Sequence, residues 1–172
     1  MSLSWSVGQI ITAERLNRRN PVTATKPGNT SAAADATVNA DPDLVLVLQP
    51  DTTYDLTGLL LVTSAADNTG DFRRAWSWTN TATVTQGGAG GVNTITTGSS
   101  GSGEWLAIDP DSSSPNNSST YVASTTVTGV SVNDRIVCGS DPVTLTVTWS
   151  QATASGTTTL RAGSFVTATP VA

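Results

Sequence analysis

The stretch Val143-Thr-Leu-Thr-Val-Thr-Trp-Ser150 alternates apolar and hydroxyl side chains without interruption. Successive side chains of a β-strand point to opposite faces, so this period of two predicts a strand with one buried and one wet face. The residues Ala-Ser-Gly at 154–156 form a turn signal, and a second candidate strand follows at 157–169. The C-terminal region is therefore predicted to be a β-hairpin whose strands each bury one face.

Further candidate strands, separated by turn residues, run through most of the remaining chain. They lie at 43–49, 53–63, 71–79, 82–86, 92–97, 104–108, 121–127 and 134–138. About eight to ten short strands with this spacing are typical of a two-sheet sandwich. We therefore predict an all-β fold, an antiparallel two-sheet sandwich of the jelly-roll type, with its body at 36–172.

The composition supports strands whose surface is kept wet by hydroxyl groups. The 172 residues include 20 Ser and 30 Thr, whereas only 12% of residues are charged. Thr is β-branched and suits a pleated, half-buried surface, while Ser, Asn, Asp and Gly favour turns. The five Trp residues and the regular alternation argue against a disordered chain.

Residues 1–20 differ from the body and are predicted to form a short helical anchor. Thr12 can cap a helix from Ala13 to about Arg19, and Asn20-Pro21 ends it. Residues 21–35 are predicted to be a linker or an edge strand. The anchor carries more apolar surface than a free tail would, so a partner or the body must bury it. Its candidate docking residues are Trp5, Val7, Ile10, Ile11, Leu16, Arg15, Arg18 and Arg19.

The charge distribution disfavours nucleic acid and membranes as partners. The net charge is −5, although residues 1–20 hold three arginines against a single glutamate, Glu14. An acidic body gives no electrostatic footprint for nucleic acid or anionic lipid. The apolar runs are too short to span a bilayer, and the start of the chain lacks the pattern of a secretory signal. We therefore expect assembly in a reducing cytoplasm.

The residue types needed for common catalytic and metal sites are scarce. There is no histidine, so a Ser-His-Asp or Cys-His arrangement is impossible. Cys138 is the only cysteine and lies in an apolar run, which predicts a buried, inert thiol. Lys26, the only lysine, falls in the predicted linker, which disfavours a buried Schiff-base lysine. The sequence predicts no enzyme, no cofactor and no resident metal.

The aspartates and tryptophans leave two binding alternatives open. Most aspartates adjoin Pro, Asn, Gly or Ser and are explained as turn residues, although Asp109, Asp111 and Asn116 could wrap a calcium ion. Tryptophans could stack on sugars, but Trp76, Trp78 and Trp149 are better explained by core or subunit packing. Trp105 is the better candidate for the surface. The candidate residues for outer-surface recognition, including a host-surface glycan, are Trp105, Asp109 and Asp111.

Four stretches resemble parts of small β-sandwich virion proteins of actinobacterial bacteriophages. Trp5-Ser-Val-Gly-Gln-Ile-Ile-Thr-Ala-Glu-Arg-Leu-Asn17 resembles their N-terminal segment, Trp-x-x-Gly-(Glu/Gln)-x-(Ile/Val)-Thr-Ala-x-x-(Leu/Met)-Asn. The C-terminal segment 143–172 is similar to their last hairpin. Residues 41–48 and 70–78 resemble two segments in which Asp-Pro-Asp-Leu and a Gly-Asp-Phe turn lead into a strand. The glycine- and serine-rich stretch 87–103 departs from that pattern.

The resemblance implies a structural role in a virion. The N-terminal segment would dock on another virion protein, and the sandwich would project from the particle as a homotrimer. It implies a tail-associated appendage or fibre-tip protein, with a capsid decoration protein (head fibre) on the outer capsid surface as the alternative. Outside this family, a carbohydrate-binding module is the competing interpretation.

Overall fold

The computed structural model describes residues 10, 12, 20–65, 72–86, 119–121, 123, 125–151 and 153–171. Within them the regular secondary structure consists of β-strands, as the sequence predicts. The strands are β1 (Val22–Thr25), β2 (Thr30–Ala33), β3 (Asn39–Leu48), β4 (Thr53–Ser64), β5 (Phe72–Trp78), β6 (Ala82–Gln86), β7 (Ser119–Tyr121), β8 (Thr128–Cys138), β9 (Val143–Gln151), β10 (Thr157–Leu160) and β11 (Phe165–Pro170). The predicted anchor helix at 13–19 and the candidate strands at 92–97 and 104–108 lie outside the described residues.

The strands form two antiparallel sheets. In the first sheet β4 pairs with β8 along one edge and with β10 and β11 along the other. This sheet is completed by β6 on β8, β1 on β11 and β2 on β10. The second sheet has the order β3-β9-β5-β7. Residues 21–35 thus contain two edge strands that belong to the first sheet.

The predicted strand at 157–169 is interrupted in the structure. It divides into β10 and β11, which lie end to end along β4. Gly163 has a φ of 86°, a left-handed conformation that glycine adopts without steric cost. The Ser164 hydroxyl accepts a hydrogen bond from the Leu61 backbone N–H at 2.9 Å and donates one to the Arg161 carbonyl at 2.8 Å. These two bonds satisfy backbone groups of Leu61 and Arg161 at the point where the strand is interrupted.

One hydrophobic core lies between the sheets and confirms the alternation at 143–150. Val143, Leu145, Val147 and Trp149 are all buried. On the other face Thr144 and Thr146 are half-buried, whereas Thr148 and Ser150 are buried. The hydroxyl face of β9 is therefore less wet than the sequence predicts. The same core includes residues from both sheets, among them Leu44, Leu46, Leu48, Tyr54, Leu56, Leu60, Phe72, Ile136, Leu160 and Val166.

We expect Gly58→Ala to destabilise the protein by about 1–3 kcal/mol, because β4 and β11 approach too closely there for another side chain. A Cβ on Gly58 would overlap the Phe165 carbonyl oxygen and lie 3.0 Å from the Val166 Cα. Gly28→Ala is the matched control, since a Cβ there meets nothing within 4 Å. Urea denaturation of both variants measures the difference, and equal midpoints would contradict the expectation.

Candidate functional site

Two buried clusters of charged residues connect the sheets in the described part of the chain. In the first, Lys26 follows β1 at the edge of the first sheet and meets Asp41 and Asp43 of β3 in the second sheet. In the second, Arg74 of β5 meets Asp134 of β8 across the core. Buried charges are costly unless they are paired, so removing one partner from either cluster should destabilise the fold.

The first cluster has short contacts and little access to water. The Lys26 Nζ lies 2.7 Å from Asp41 Oδ2 and 3.0 Å from Asp43 Oδ2. The side chains of Lys26 and Asp41 are fully buried, whereas that of Asp43 is 31% exposed. Asp41 Oδ1 accepts hydrogen bonds from the backbone N–H groups of Asp43 and Leu44, at 3.0 and 3.2 Å. The Asp41 carboxylate is thus held on both oxygens.

Interruptions in two edge strands position this cluster. Lys26 lies between β1 and β2, where its N–H donates to the Ser164 carbonyl and its carbonyl accepts from the Gly163 N–H. On the other sheet, the pairing of β3 with β9 shifts register between Ala40 and Val45, so Asp41 lies in an irregularity of the strand. Such irregularities re-aim side chains, and here one points the carboxylate towards the lysine.

The second cluster places a salt bridge and an indole N–H inside the core. Arg74 Nη1 and Trp76 Nε1 both donate to Asp134 Oδ2, at 2.6 and 2.7 Å. The Arg74 guanidinium carbon also lies 5.5 Å from the centroid of the Trp76 ring. Asp134 therefore accepts from two groups of the opposite sheet, and it occupies the middle of β8 rather than the strand start that the sequence predicts.

The outer face of the first sheet carries paired hydroxyl groups. Thr23 and Thr167 share a hydrogen bond of 2.9 Å, and Ser31 and Thr159 share one of 2.8 Å. These side chains lie directly opposite one another on neighbouring strands, where such pairs stabilise a sheet modestly. This surface is wet through hydroxyls, as the composition predicts.

Of the predicted site residues, the structure describes only Ile10, which is 80% exposed. The other anchor residues, Trp5, Val7, Ile11, Leu16, Arg15, Arg18 and Arg19, lie outside the described residues, as do Trp105, Asp109 and Asp111.

The structure gives Lys26 and the two aspartates of the Asp-Pro-Asp motif contacts that the sequence did not predict. Lys26 lies between β1 and β2, in the predicted linker or edge strand, but its side chain is buried. Asp41 and Asp43, which the sequence explains as turn residues, contact its Nζ. A single lysine followed by an Asp-Pro-Asp motif was the available signal.

The described tryptophans contribute to packing. Trp76 is 1% exposed and Trp149 is 4% exposed, and Trp78 packs against the same core. The rings of Phe72 and Trp149 lie 5.8 Å apart with their planes tilted by 31°. Because Trp76 and Trp149 are buried, neither presents a face on which a sugar could stack.

Cys138 is buried, as the sequence predicts. Desolvation raises the pKa of its thiol to about 11, so the reactive thiolate is scarce at neutral pH. Among the described residues, no group of His, Cys, Asp and Glu side chains is arranged to hold a metal ion. In the same part of the chain, no helix reaches the length and apolarity needed to cross a bilayer.

Comparisons with known proteins leave the family open. No protein-family model matches the chain, and no curated protein matches it. Among solved structures, it is similar to a chain of the infectious bursal disease virus Gx strain, with 14% sequence identity and a TM-score of 0.24. The match covers 98% of this chain and 44% of that chain. A likeness this weak supports no conclusion about fold or function.

Proposed function

We propose that this chain is a bacteriophage virion structural protein, a projecting tail-associated appendage or fibre-tip protein anchored by its N-terminus. The observation that carries the proposal is the motif at 5–17, together with the exposure of Ile10 within it. Ile10 is 80% exposed, so its side chain is accessible to a partner. The partners would be other virion proteins, and the location would be the virion, assembled in the host cytoplasm.

We infer that the sandwich is a jelly roll. Taking β1 with β2, and β10 with β11, as interrupted single strands, the first sheet has the order β1/β2, β10/β11, β4, β8, with β6 added at its edge. The second sheet has the order β3, β9, β5, β7. Consecutive strands β3 to β4 and β4 to β5 cross between sheets, a connectivity that supports the double Greek key of a jelly roll.

The body has features expected of a structural protein rather than of an enzyme. The absence of histidine from the sequence and the buried, inert thiol of Cys138 are in keeping with a non-enzymatic protein. The hydroxyl pairs on the outer face of the first sheet keep this surface hydrated. They carry no positive charge that would attract nucleic acid or anionic membranes.

Such appendages are expected to be homotrimers. Light scattering of the purified protein should then give three times the mass of one chain, whereas a monomer that binds saccharide would favour a carbohydrate-binding module.

Deleting residues 1–20 should leave a folded body that no longer joins particles, because the anchor supplies the docking surface. The test is to propagate phage carrying the deletion, purify virions, and probe them for the chain by immunoblotting, with circular dichroism of the purified variant as the folding control. Ile10→Asp in the full chain should reduce incorporation as well. Val127→Asp, at a site 52% exposed on the body, is the matched control and should be incorporated normally.

A deletion variant that still joins virions would contradict the anchor. The place of attachment is read from the same particles after tails and capsids are separated. Recovery of the wild-type chain with tails supports an appendage or fibre-tip protein, whereas recovery with capsids supports the decoration protein.

A further inference from the structure

We propose that Lys26 and Asp41 form an intramolecular isopeptide bond, a covalent amide between the Lys26 Nζ and the Asp41 Cγ that joins the two sheets. The Nζ lies 2.7 Å from Asp41 Oδ2, and both side chains are fully buried. Holding an amine beside an acyl group raises their effective concentration when the nitrogen can reach the carbonyl carbon. This inference is independent of the virion role.

The surroundings of Asp41 supply what an acyl substitution needs. Its Oδ1 accepts from the N–H groups of Asp43 and Leu44, at 3.0 and 3.2 Å. Two backbone donors on one oxygen polarise the carbonyl and stabilise the negative charge that develops there when an amine adds to the carbon. Pro42, between the aspartates, has no N–H, so both donors come from the residues that follow it.

Asp43 is placed to move the protons. Its Oδ2 lies 3.0 Å from the Lys26 Nζ. This nitrogen must lose protons as the bond forms. The side chain is 31% exposed, so it can exchange protons with solvent. Asp43 is therefore assigned as the general acid–base, within hydrogen-bond reach of the reacting nitrogen.

The reaction balances without an oxidant or cofactor. A proton passes from the Lys26 ammonium to the Asp41 carboxylate, which leaves a neutral amine beside a neutral carboxylic acid. The Nζ then adds to the Asp41 Cγ, and the negative charge gathers on Oδ1. Asp43 takes a proton from the nitrogen and gives it to Oδ2, the bond from Cγ to Oδ2 breaks, and the oxygen leaves as water. The product is one amide and one water molecule.

The bond would tie the end of β1 in the first sheet directly to β3 in the second. A pull on the N-terminal side of β1 would then pass into β3 through a covalent link rather than through hydrogen bonds alone. The cross-link closes a loop between positions 15 apart in the sequence, and such closure restricts the unfolded chain.

Intact-mass spectrometry of the denatured full-length protein tests the proposal. We expect the wild-type mass to be lower than the sequence mass by one water molecule. Lys26→Arg, which keeps the positive charge, should show its full mass. A wild-type chain with its full sequence mass, or a dehydrated mass that persists in Lys26→Arg, would overturn the proposal. This measurement on the wild type does not depend on whether a variant folds.

The single lysine makes an independent check available. In the denatured wild type, an amine-reactive label should modify only the N-terminal amine, because the only lysine side chain is consumed. Digestion with trypsin and a protease that cleaves before aspartate should yield peptide 20–34 joined to peptide 35–42. A labelled Lys26 in every molecule would overturn the bond. Asp43→Asn should slow the dehydration, and an unchanged rate would overturn the assignment of Asp43.

Discussion

Replacing Asp134 with Asn should lower the free energy of unfolding by about 3–5 kcal/mol, the usual cost of breaking a buried ion pair. The carboxylate lies 2.6 Å from Arg74 Nη1 and 2.7 Å from Trp76 Nε1. An amide can still accept from the indole, but it no longer neutralises the guanidinium. The contact with Arg74 Nη1 would then join a buried charge to a neutral amide, which destabilises the folded state.

Urea denaturation followed by tryptophan fluorescence measures this loss. Asp55→Asn is the matched control, because Asp55 forms a salt bridge of 2.7 Å with Arg135 whose side chains are 47% and 53% exposed. Solvent screens an exposed pair, so the control should move the midpoint far less. Equal shifts of the urea midpoint for Asp134→Asn and Asp55→Asn would show that the buried Arg74–Asp134 pair stabilises the fold no more than the exposed pair does.

Leu46→Ala should cost about 2–5 kcal/mol, because it removes buried methyl groups and leaves a cavity between the sheets. Leu46 is 0% exposed and belongs to the shared core. It lies opposite Leu145 of β9, which is equally buried. The core cannot close fully around the missing volume because β3 is held by its ladder with β9.

The neighbouring residue on β3 is the control. Val47 is 58% exposed, so Val47→Ala removes little buried surface and should change the free energy of unfolding by about 0.5 kcal/mol or less. Thermal and urea unfolding of the two variants would separate them clearly. A larger loss for Val47→Ala than for Leu46→Ala would mean that β3 presents its other face to the core.

Strands with a clear period of two were predictable from local sequence. At 143–150 the apolar members alternate with hydroxyls, and the structure buries those apolar members as expected. The run Leu44-Val-Leu-Val-Leu48 contains no polar residue, so its sequence predicts a strand but not which face is inward. Pairing with β9 decides that the leucines point inward and Val47 points outward.

The predicted start of β8 is wrong. The sequence predicts a strand at 134–138, whereas the strand in the structure begins at Thr128. Asn133 is exposed and Asp134 is buried, which is the alternation of a strand. The preference of Asp for turns is overcome because Asp134 gains an arginine and an indole N–H in the core.

The candidate sites divide in the same way. The anchor at 1–20 and the surface residues Trp105, Asp109 and Asp111 were proposed from local patterns, and they stay predictions. The cluster of Lys26, Asp41 and Asp43 was not predicted as a site, because its chemistry arises from two interrupted edge strands in different sheets. Each interruption is inconspicuous in sequence, and only their juxtaposition brings the amine to the carboxylate.

Composition and the periodicities within single strands were enough to predict the β-strands of the described residues, the hydroxyl-rich outer surface and the buried cysteine. Only the tertiary structure shows which charged side chains are buried and which residues they contact. Arg74 and Asp134 are separated by 60 positions, and Lys26 and Asp41 by 15. A pairing between separate strands depends on sheet order and register, which no local window of sequence contains.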